Sequence, residues 1–182
     1  MLDRRSLLFG AVAMVAGAPA LAFELAPQFQ RQGVRYPGYP GGTIVVDPAN
    51  FFLYYVTANE TAIRYGVGVG QEGLGFTGTA VVGRKDEWPR WRPSANMISR
   101  NPERFAGLAK GIRGGPGNPL GARALYLYRD GKDTRYRIHG TNEPESIGQA
   151  VSNGCIRMTN DQVIDLYGRV KVGSPVVVLP TA

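Results

Sequence analysis

Backbone punctuation is the feature that most limits this chain. Glycine occurs 25 times and proline 13 times in 182 residues, so about a fifth of the positions either loosen or lock the backbone. Glycine stands at roughly twice its usual share of about 7%. It weakens helices through conformational entropy, and proline through its missing N–H. This density argues against a helical bundle and for short strands joined by many turns. The glycines follow no three-residue period, which excludes a collagen helix. Hydrophobic residues make up 43% and charged residues 19%, which excludes a disordered chain. At about 100–200 residues per domain, the length fits one domain, or one domain plus a tail. A single Cys and a single His can make neither an internal disulfide nor a four-ligand Cys/His zinc site.

The first 22 residues read as a targeting segment. Asp3-Arg4-Arg5-Ser6 precedes an uncharged stretch over 7–23, and Ala20-Leu21-Ala22 is a small-x-small cleavage site. A basic start, a short apolar run and such a site describe a secretory signal peptide. Gly10, Gly17 and Pro19 interrupt the run, which falls short of the roughly 20 residues that a membrane span needs. Arg4-Arg5-Ser6-Leu7-Leu8 resembles a twin-arginine signal, with general secretion and an uncleaved anchor as the alternatives. The expected organisation is a signal at 1–22, cleaved near Ala22, an N-terminal arm at 23–42, and one domain at 43–182, located in the periplasm. The net charge of +7 drops by one when Asp3, Arg4 and Arg5 are removed. Export argues against a nucleic-acid partner. An anionic wall polymer or membrane surface fits the charge, as does solubility alone.

Strand signals come quickly after the Pro-, Gly- and Gln-rich arm. β-branched and aromatic runs predict strands at 43–47, 51–57, 61–69 and 77–83. Residues 84–101 read as a charged connection bearing Trp88 and Trp91. Asn101-Pro102 predicts a helix to about 112, with Asn at the N-cap, Pro at N1 and Gly114 beyond its end. Asp130-Gly131 between 124–128 and 134–139 is a hairpin signal. Asn160-Asp161 caps a helix over 162–170, and 176–179 is a closing buried strand. These elements make one mainly β domain with two or three short helices, without a repeat or a linker.

The chemistry concentrates in Ile138-His139-Gly140-Thr141 and Ser152-Asn153-Gly154-Cys155-Ile156-Arg157-Met158, which hold the only His and the only Cys. Thiolate is the nucleophilic form of cysteine, and a nearby imidazole is the usual base that generates it. His139 ends a predicted strand, and Cys155 lies in a glycine-bearing turn where backbone N–H groups could receive an oxyanion. Arg157 shares a face with Cys155 if the segment is extended. A buried apolar Cys and a structural His are the bland alternatives. An exported free thiol weighs toward use.

These residues resemble the L,D-transpeptidase catalytic domain of the YkuD type, within it the ErfK/YbiS-like group. The pattern is HGT, a spacer, and S-x-G-C-aliphatic-R, carried by His139-Gly140-Thr141 and by Ser152, Gly154, Cys155, Ile156 and Arg157. Asn118-Pro119-Leu120-Gly121, 123–127, Ser146-Ile147-Gly148 and Trp88-Pro89-x-Trp91-x-Pro93 support it. Asn153 stands where many members have His, and Phe76-Thr77-Gly78-Thr79 replaces a frequent Thr-Pro-x-Gly. The resemblance implies an L,D-transpeptidase-type β-sandwich. It implies Cys155 as nucleophile, His139 as base and then acid, and the Gly140 carbonyl as orienter of the imidazole. The Gly154 and Cys155 amides would be oxyanion donors, and Arg157 would position the substrate or loop. Ser152, Asn153, Thr141 and Trp91 are the expected substrate contacts. Read from the residues themselves, Trp88, Trp91, Arg84, Lys85, Arg90 and Arg92 form a basic-aromatic loop, either a wall or lid of the groove that recognises glycan or stem carboxylate, or a solvated loop with its Trp rings tucked onto the core.

The implied reaction is acyl transfer on peptidoglycan stem peptides by a monomer, with no metal or cofactor. Cys155 attacks the third-residue carbonyl of a tetrapeptide stem and releases D-Ala, and an amine resolves the thioacyl-enzyme to a 3→3 cross-link. Water as acceptor would make the chain an L,D-carboxypeptidase, and an outer-membrane protein amine would attach that protein to the wall. A sortase-like enzyme shares the order His, Cys, Arg but spaces them further apart, and an NlpC/P60-type peptidase has Cys before His. A non-catalytic wall-binding module is the alternative from a different class.

Overall fold

The β-branched runs form strands in a computed structural model that describes residues 23–58 and 60–181; the expected signal peptide lies outside the described residues. The first four strands are β1 (Gln32–Arg35), β2 (Ile44–Asp47), β3 (Phe52–Val56) and β4 (Thr61–Gly66). Then come β5 (Val69–Gly70), β6 (Gly78–Glu87), α1 (Ala95–Arg100) and α2 (Pro102–Phe105). The remainder is β7 (Arg123–Arg129), β8 (Lys132–His139), β9 (Ala150–Ser152), β10 (Ile156–Arg157), α3 (Asn160–Arg169) and β11 (Pro175–Val178). Nine strands make one sheet in the order β1-β4-β3-β2-β11-β6-β7-β8-β10, and β5 and β9 form a small second sheet.

The large sheet folds over on itself. At about 4.8 Å per strand, a flat sheet would hold β4 and β10 more than 30 Å apart. Instead Gly68, two residues past β4, exchanges both backbone hydrogen bonds with Arg157 of β10 at 2.9 and 2.8 Å. The result is the expected sandwich-type fold, built largely from one bent sheet. Its inner faces bury Ile44, Leu53, Tyr65, Leu125, Leu127 and Ile138 completely, and Val163 and Leu166 of α3 join the same core. Each such side chain contributes roughly 2 kcal/mol through the apolar area it removes from water.

Five boundaries differ from the sequence reading. The 23–42 arm contributes β1, which pairs with β4 and helps cover a second small core at Val45, Val56 and Ala62. The 61–69 run divides into β4 and β5. β6 extends through the charged residues to Glu87, because Lys85 donates to the Tyr167 and Val170 carbonyls at 2.7 and 2.6 Å and caps α3. The helix expected from Asn101 is short. Asn101 does cap α2 through the Arg104 N–H at 3.0 Å, but a separate helix, α1, precedes it, capped by Ser94. At α3 the N-cap is Thr159. The Asn160 side chain instead accepts from the Ala122 N–H at 2.8 Å and donates to the Thr141 carbonyl at 3.1 Å.

Candidate active site

β8 and β10 pair in parallel, with Ile156 opposite Ile138 and Arg157 opposite His139. This register explains the sixteen-position spacing. The chain leaves β8 at His139, passes a single turn at Pro144–Ser146, and pairs β9 with β5. It then returns beside β8, so Cys155 arrives next to the strand that ends in the imidazole.

His139 is 4% exposed. Its Nδ1–H donates to the Gly140 carbonyl at 2.5 Å, which leaves Nε2 as the unprotonated nitrogen. Burial pushes the imidazole down to about 4, with Arg157 and Arg137 adding to the shift and the Gly140 carbonyl opposing it. Cys155 is partly exposed. Burial raises its thiol above the usual range, against the lowering effects of the Arg137 backbone N–H and the Arg137 and Arg157 guanidiniums. The resting pair is therefore a neutral thiol and a neutral imidazole.

The turn that carries Cys155 is braced from within. The Ser152 hydroxyl donates to the Cys155 carbonyl at 2.6 Å and accepts from the Gly154 N–H at 3.1 Å. Gly154 has a φ of 116°, and a Cβ there would lie 2.7 Å from the Tyr136 ring, so a side chain is excluded twice over. Of the two amides expected to face an oxyanion, that of Gly154 is thus engaged by Ser152. The Cys155 N–H has no protein acceptor among the described residues.

Two cavities, of about 700 and 440 Å³, meet at Cys155. Trp91, Met97, Leu120 and Asn153 line both, whereas His139, Ser152 and Arg157 line only the smaller. Trp91 packs against Phe105 with ring centroids 6.2 Å apart, so it belongs to the cleft wall. Trp88 is 45% exposed and lines neither cavity. Asn153 accepts from Arg100 at 3.2 Å, which ties the Cys155 turn to α1. Arg157 pairs with Glu143 at 2.8 Å, and Arg104 approaches the same carboxylate at 3.7 Å. Among the described residues no cluster of three or more His, Cys, Asp or Glu could hold a metal ion.

Thr141 lies apart from the other expected substrate contacts. It is buried, its hydroxyl accepts from the Glu143 N–H at 2.9 Å, and it lines neither cavity at Cys155. It shapes the turn after His139 instead of facing the cleft. Arg137 lines the larger cavity and Glu143 the smaller, and the sequence reading named neither as a site residue. Arg137 was findable, since residues two apart on a strand share a face and it precedes His139 by two. Glu143 carries no local signal of its place in the cavity wall.

The family model of the L,D-transpeptidase catalytic domain, YkuD, matches residues 41–178. The Escherichia coli K12 protein named probable L,D-transpeptidase ErfK/SrfK is 37% identical over 139 residues, which is 75% of this chain and 43% of that protein. The chain thus spans less than half the length of the E. coli relatives it matches. A solved Brucella melitensis structure, named a probable carnitine operon oxidoreductase caia, is 52% identical. It aligns over 85% of this chain and 96% of its own with a TM-score of 0.59. An L,D-transpeptidase from Mycobacterium smegmatis shares the fold at a TM-score of 0.54 and 21% identity, over 76% of this chain and 58% of its own. The oxidoreductase name has no counterpart in this site. Gly68-x-Gly70-x-x-Gly73 has dinucleotide-motif spacing, but it runs through β5 into a turn and not from a strand into a helix N-terminus.

Proposed function

This chain belongs to the L,D-transpeptidase catalytic-domain family, and on that premise we propose that it is an exported cysteine acyltransferase of peptidoglycan stem peptides. One observation carries the reading. A partly exposed thiol stands where two cavities meet, beside a buried imidazole tethered by Nδ1 to the Gly140 carbonyl. That tether replaces the carboxylate of a Ser-His-Asp triad and keeps Nε2 free to take a proton.

The steps follow from the resting charges. His139 Nε2 takes the Sγ proton as Cys155 attacks the third-residue carbonyl carbon of a tetrapeptide stem. The Cys155 N–H, without a protein acceptor, receives the developing oxyanion. The C–N bond to D-Ala breaks, and His139 returns the proton to the departing amine, leaving a thioester. An acceptor amine then attacks, His139 takes its proton, and the sulfur leaves to regenerate the thiol. The product is a 3→3 cross-link. Water in the acceptor cavity gives a tripeptide, and an amine of an outer-membrane protein gives attachment to the wall. Gly140 orients the base, Gly154 holds the turn, and Arg157 with Glu143 fixes the cavity wall behind His139. Ser152 braces the turn, and Asn153 and Trp91 contact the stem.

A periplasmic monomer is part of this reading, and the signal-like pattern of 1–22 supports the location. Among the described residues no helix is long and apolar enough to cross a membrane. The test is product mass analysis of disaccharide-tetrapeptide incubated with the protein and with its Cys155→Ala variant. Loss of D-Ala with dimer formation, in the wild type only, supports cross-linking. Loss of D-Ala with monomeric tripeptide assigns water as acceptor. An unchanged substrate beside a folded protein with a titratable thiol refutes the reading.

A further inference from the structure

The two cavities at Cys155 differ in charge. Arg84, Arg90, Arg92, Arg100, Arg135 and Arg137 line the larger one, against Asp133 as its single acid. Asp133 holds Arg137 through two contacts at 2.8 and 2.9 Å, and Asp86 holds Arg84. Arg100 reaches Asn153 and the Asn96 carbonyl, and Arg90 reaches the Lys110 carbonyl. The guanidiniums of Arg92 and Arg135 have no carboxylate partner among the described residues. In the smaller cavity the two arginines, Arg104 and Arg157, both lean on Glu143.

The backbone of β8 is bent to build this basic wall. A regular strand alternates its side chains between two faces. Here five consecutive residues, 133–137, all line the one cavity. The pairing of β7 with β8 shifts register opposite them, and Arg135 adopts a left-handed φ of 66°. Its N–H donates to the Asp133 carboxylate at 2.7 Å, which holds the bulge. Bulges beside active sites re-aim side chains, and a left-handed arginine is a strained residue retained at a site of use.

The larger cavity is also the side on which the acyl half of the substrate belongs. The departing and the incoming amine both exchange a proton with His139, which lines only the smaller cavity. The amine side of the scissile bond therefore occupies the smaller cavity, and the peptide that becomes the acyl group extends into the arginine-lined one.

We propose that the larger cavity is a carboxylate-reading subsite for the acyl donor, with Arg92 and Arg135 as specificity-determining residues, so that stem peptides with free carboxyls are selected over the same peptides carrying carboxamides. A guanidinium offers paired donors that match both oxygens of a carboxylate, whereas a carboxamide is neutral and has one acceptor oxygen. The inference rests on the acyl-transfer reading above and adds the chemistry that its donor must carry.

The test compares D-Ala release from two disaccharide-tetrapeptides, one with free glutamate and diaminopimelate carboxyls and one with both as carboxamides. The wild type favours the free acid by about tenfold or more in kcat/KM, as the loss of one charge-assisted hydrogen bond implies. Arg92→Gln combined with Arg135→Gln brings the two donors to within about threefold. Arg135→Gly, which suits the left-handed backbone, removes the charge without straining the bulge and lowers the preference partway. Equal kcat/KM for the two donors with the wild type, or a preference untouched in the folded variants, overturns the inference alone. A wild type that releases D-Ala from neither peptide overturns the acyl-transfer reading and the inference with it. Calorimetric binding of both peptides to Cys155→Ala protein gives the same preference without turnover, and equal affinities there contradict it.

Discussion

The β7–β8 hairpin and the 88–118 segment face each other across the same cleft and are held in opposite ways. The hairpin is written locally. Asp130-Gly131 takes left-handed φ values of 50° and 72°, the geometry of a two-residue turn that matches strand twist. Its inward residues Leu125, Leu127 and Ile138 are fully buried. In the 88–118 segment, α1 and α2 bury no residue of their own. That segment is fastened at its base by Asn118, which is 1% exposed. The Asn118 side-chain amide reaches the carbonyls of Pro89, Ile112 and Arg113 at 3.1, 3.2 and 2.9 Å, and its oxygen accepts from the Leu120 N–H at 2.8 Å. One wall of the cleft is therefore a rigid part of the core, and the other is a polar knot with two short helices hung from it. His139 sits at the end of the rigid wall, and cleft-covering groups such as Trp91, Met97 and Phe105 sit on the other.

The largest effect expected is acid loss of the hairpin end. His139 has its imidazole pushed down to about 4 when folded, against about 6.5 when unfolded. The unfolded chain binds the extra proton, so this contribution is present above about pH 6.5 and is lost as pH falls toward 4. Its size is about 3 kcal/mol. Denaturant midpoints across that range show the slope, and His139→Gln flattens it. A midpoint that stays level in the wild type contradicts a buried neutral imidazole.

Next in size is the knot. Asn118→Ala leaves buried carbonyls without donors and costs about 2 kcal/mol. Hydrogen exchange should speed up in 88–118 and stay protected in β7 and β8; uniform deprotection would mean that the two walls are one cooperative unit. Gly131→Ala places a side chain at a left-handed position and costs about 1 kcal/mol, read as a small drop in midpoint. A larger loss, with activity gone, would show that the hairpin turn controls the site. The smallest effect is at Arg100→Ala, which cuts an exposed tie from α1 to Asn153 worth at most about 0.5 kcal/mol. Activity with a stem peptide should change while the midpoint barely moves.

The difference between the walls also explains what was legible. The hairpin, β2, β3 and β11 carry their signals in adjacent residues, as do the lone His and Cys and the glycine before Cys155. Their neighbours' tasks depend on partners far away in sequence. Arg84, Lys85, Asp86 and Glu87 look like a solvated connection, yet Lys85 is a cap for α3 and Arg84 lies over the Tyr126 ring at 3.6 Å. Asn160 looks like an N-cap, but Ala122 and Thr141 take its side chain. Thr141 looks like a substrate contact because it follows His139, and the turn uses its hydroxyl internally. The α1 helix was hidden because Asn96 and Ser99 are indifferent helix formers, and its Ser94 cap is visible only once the helix is placed.

The central claim is that Cys155 carries the acyl group between the two cavities. Intact-protein mass spectrometry after acid quench, with free-carboxyl disaccharide-tetrapeptide as donor and no added acceptor, reads it directly. The expected result is an adduct equal to the donor less one D-Ala, mapped to the peptide that contains Cys155 and absent from Cys155→Ala. Release of D-Ala by the Cys155→Ala variant, or an adduct on a different residue, would contradict it.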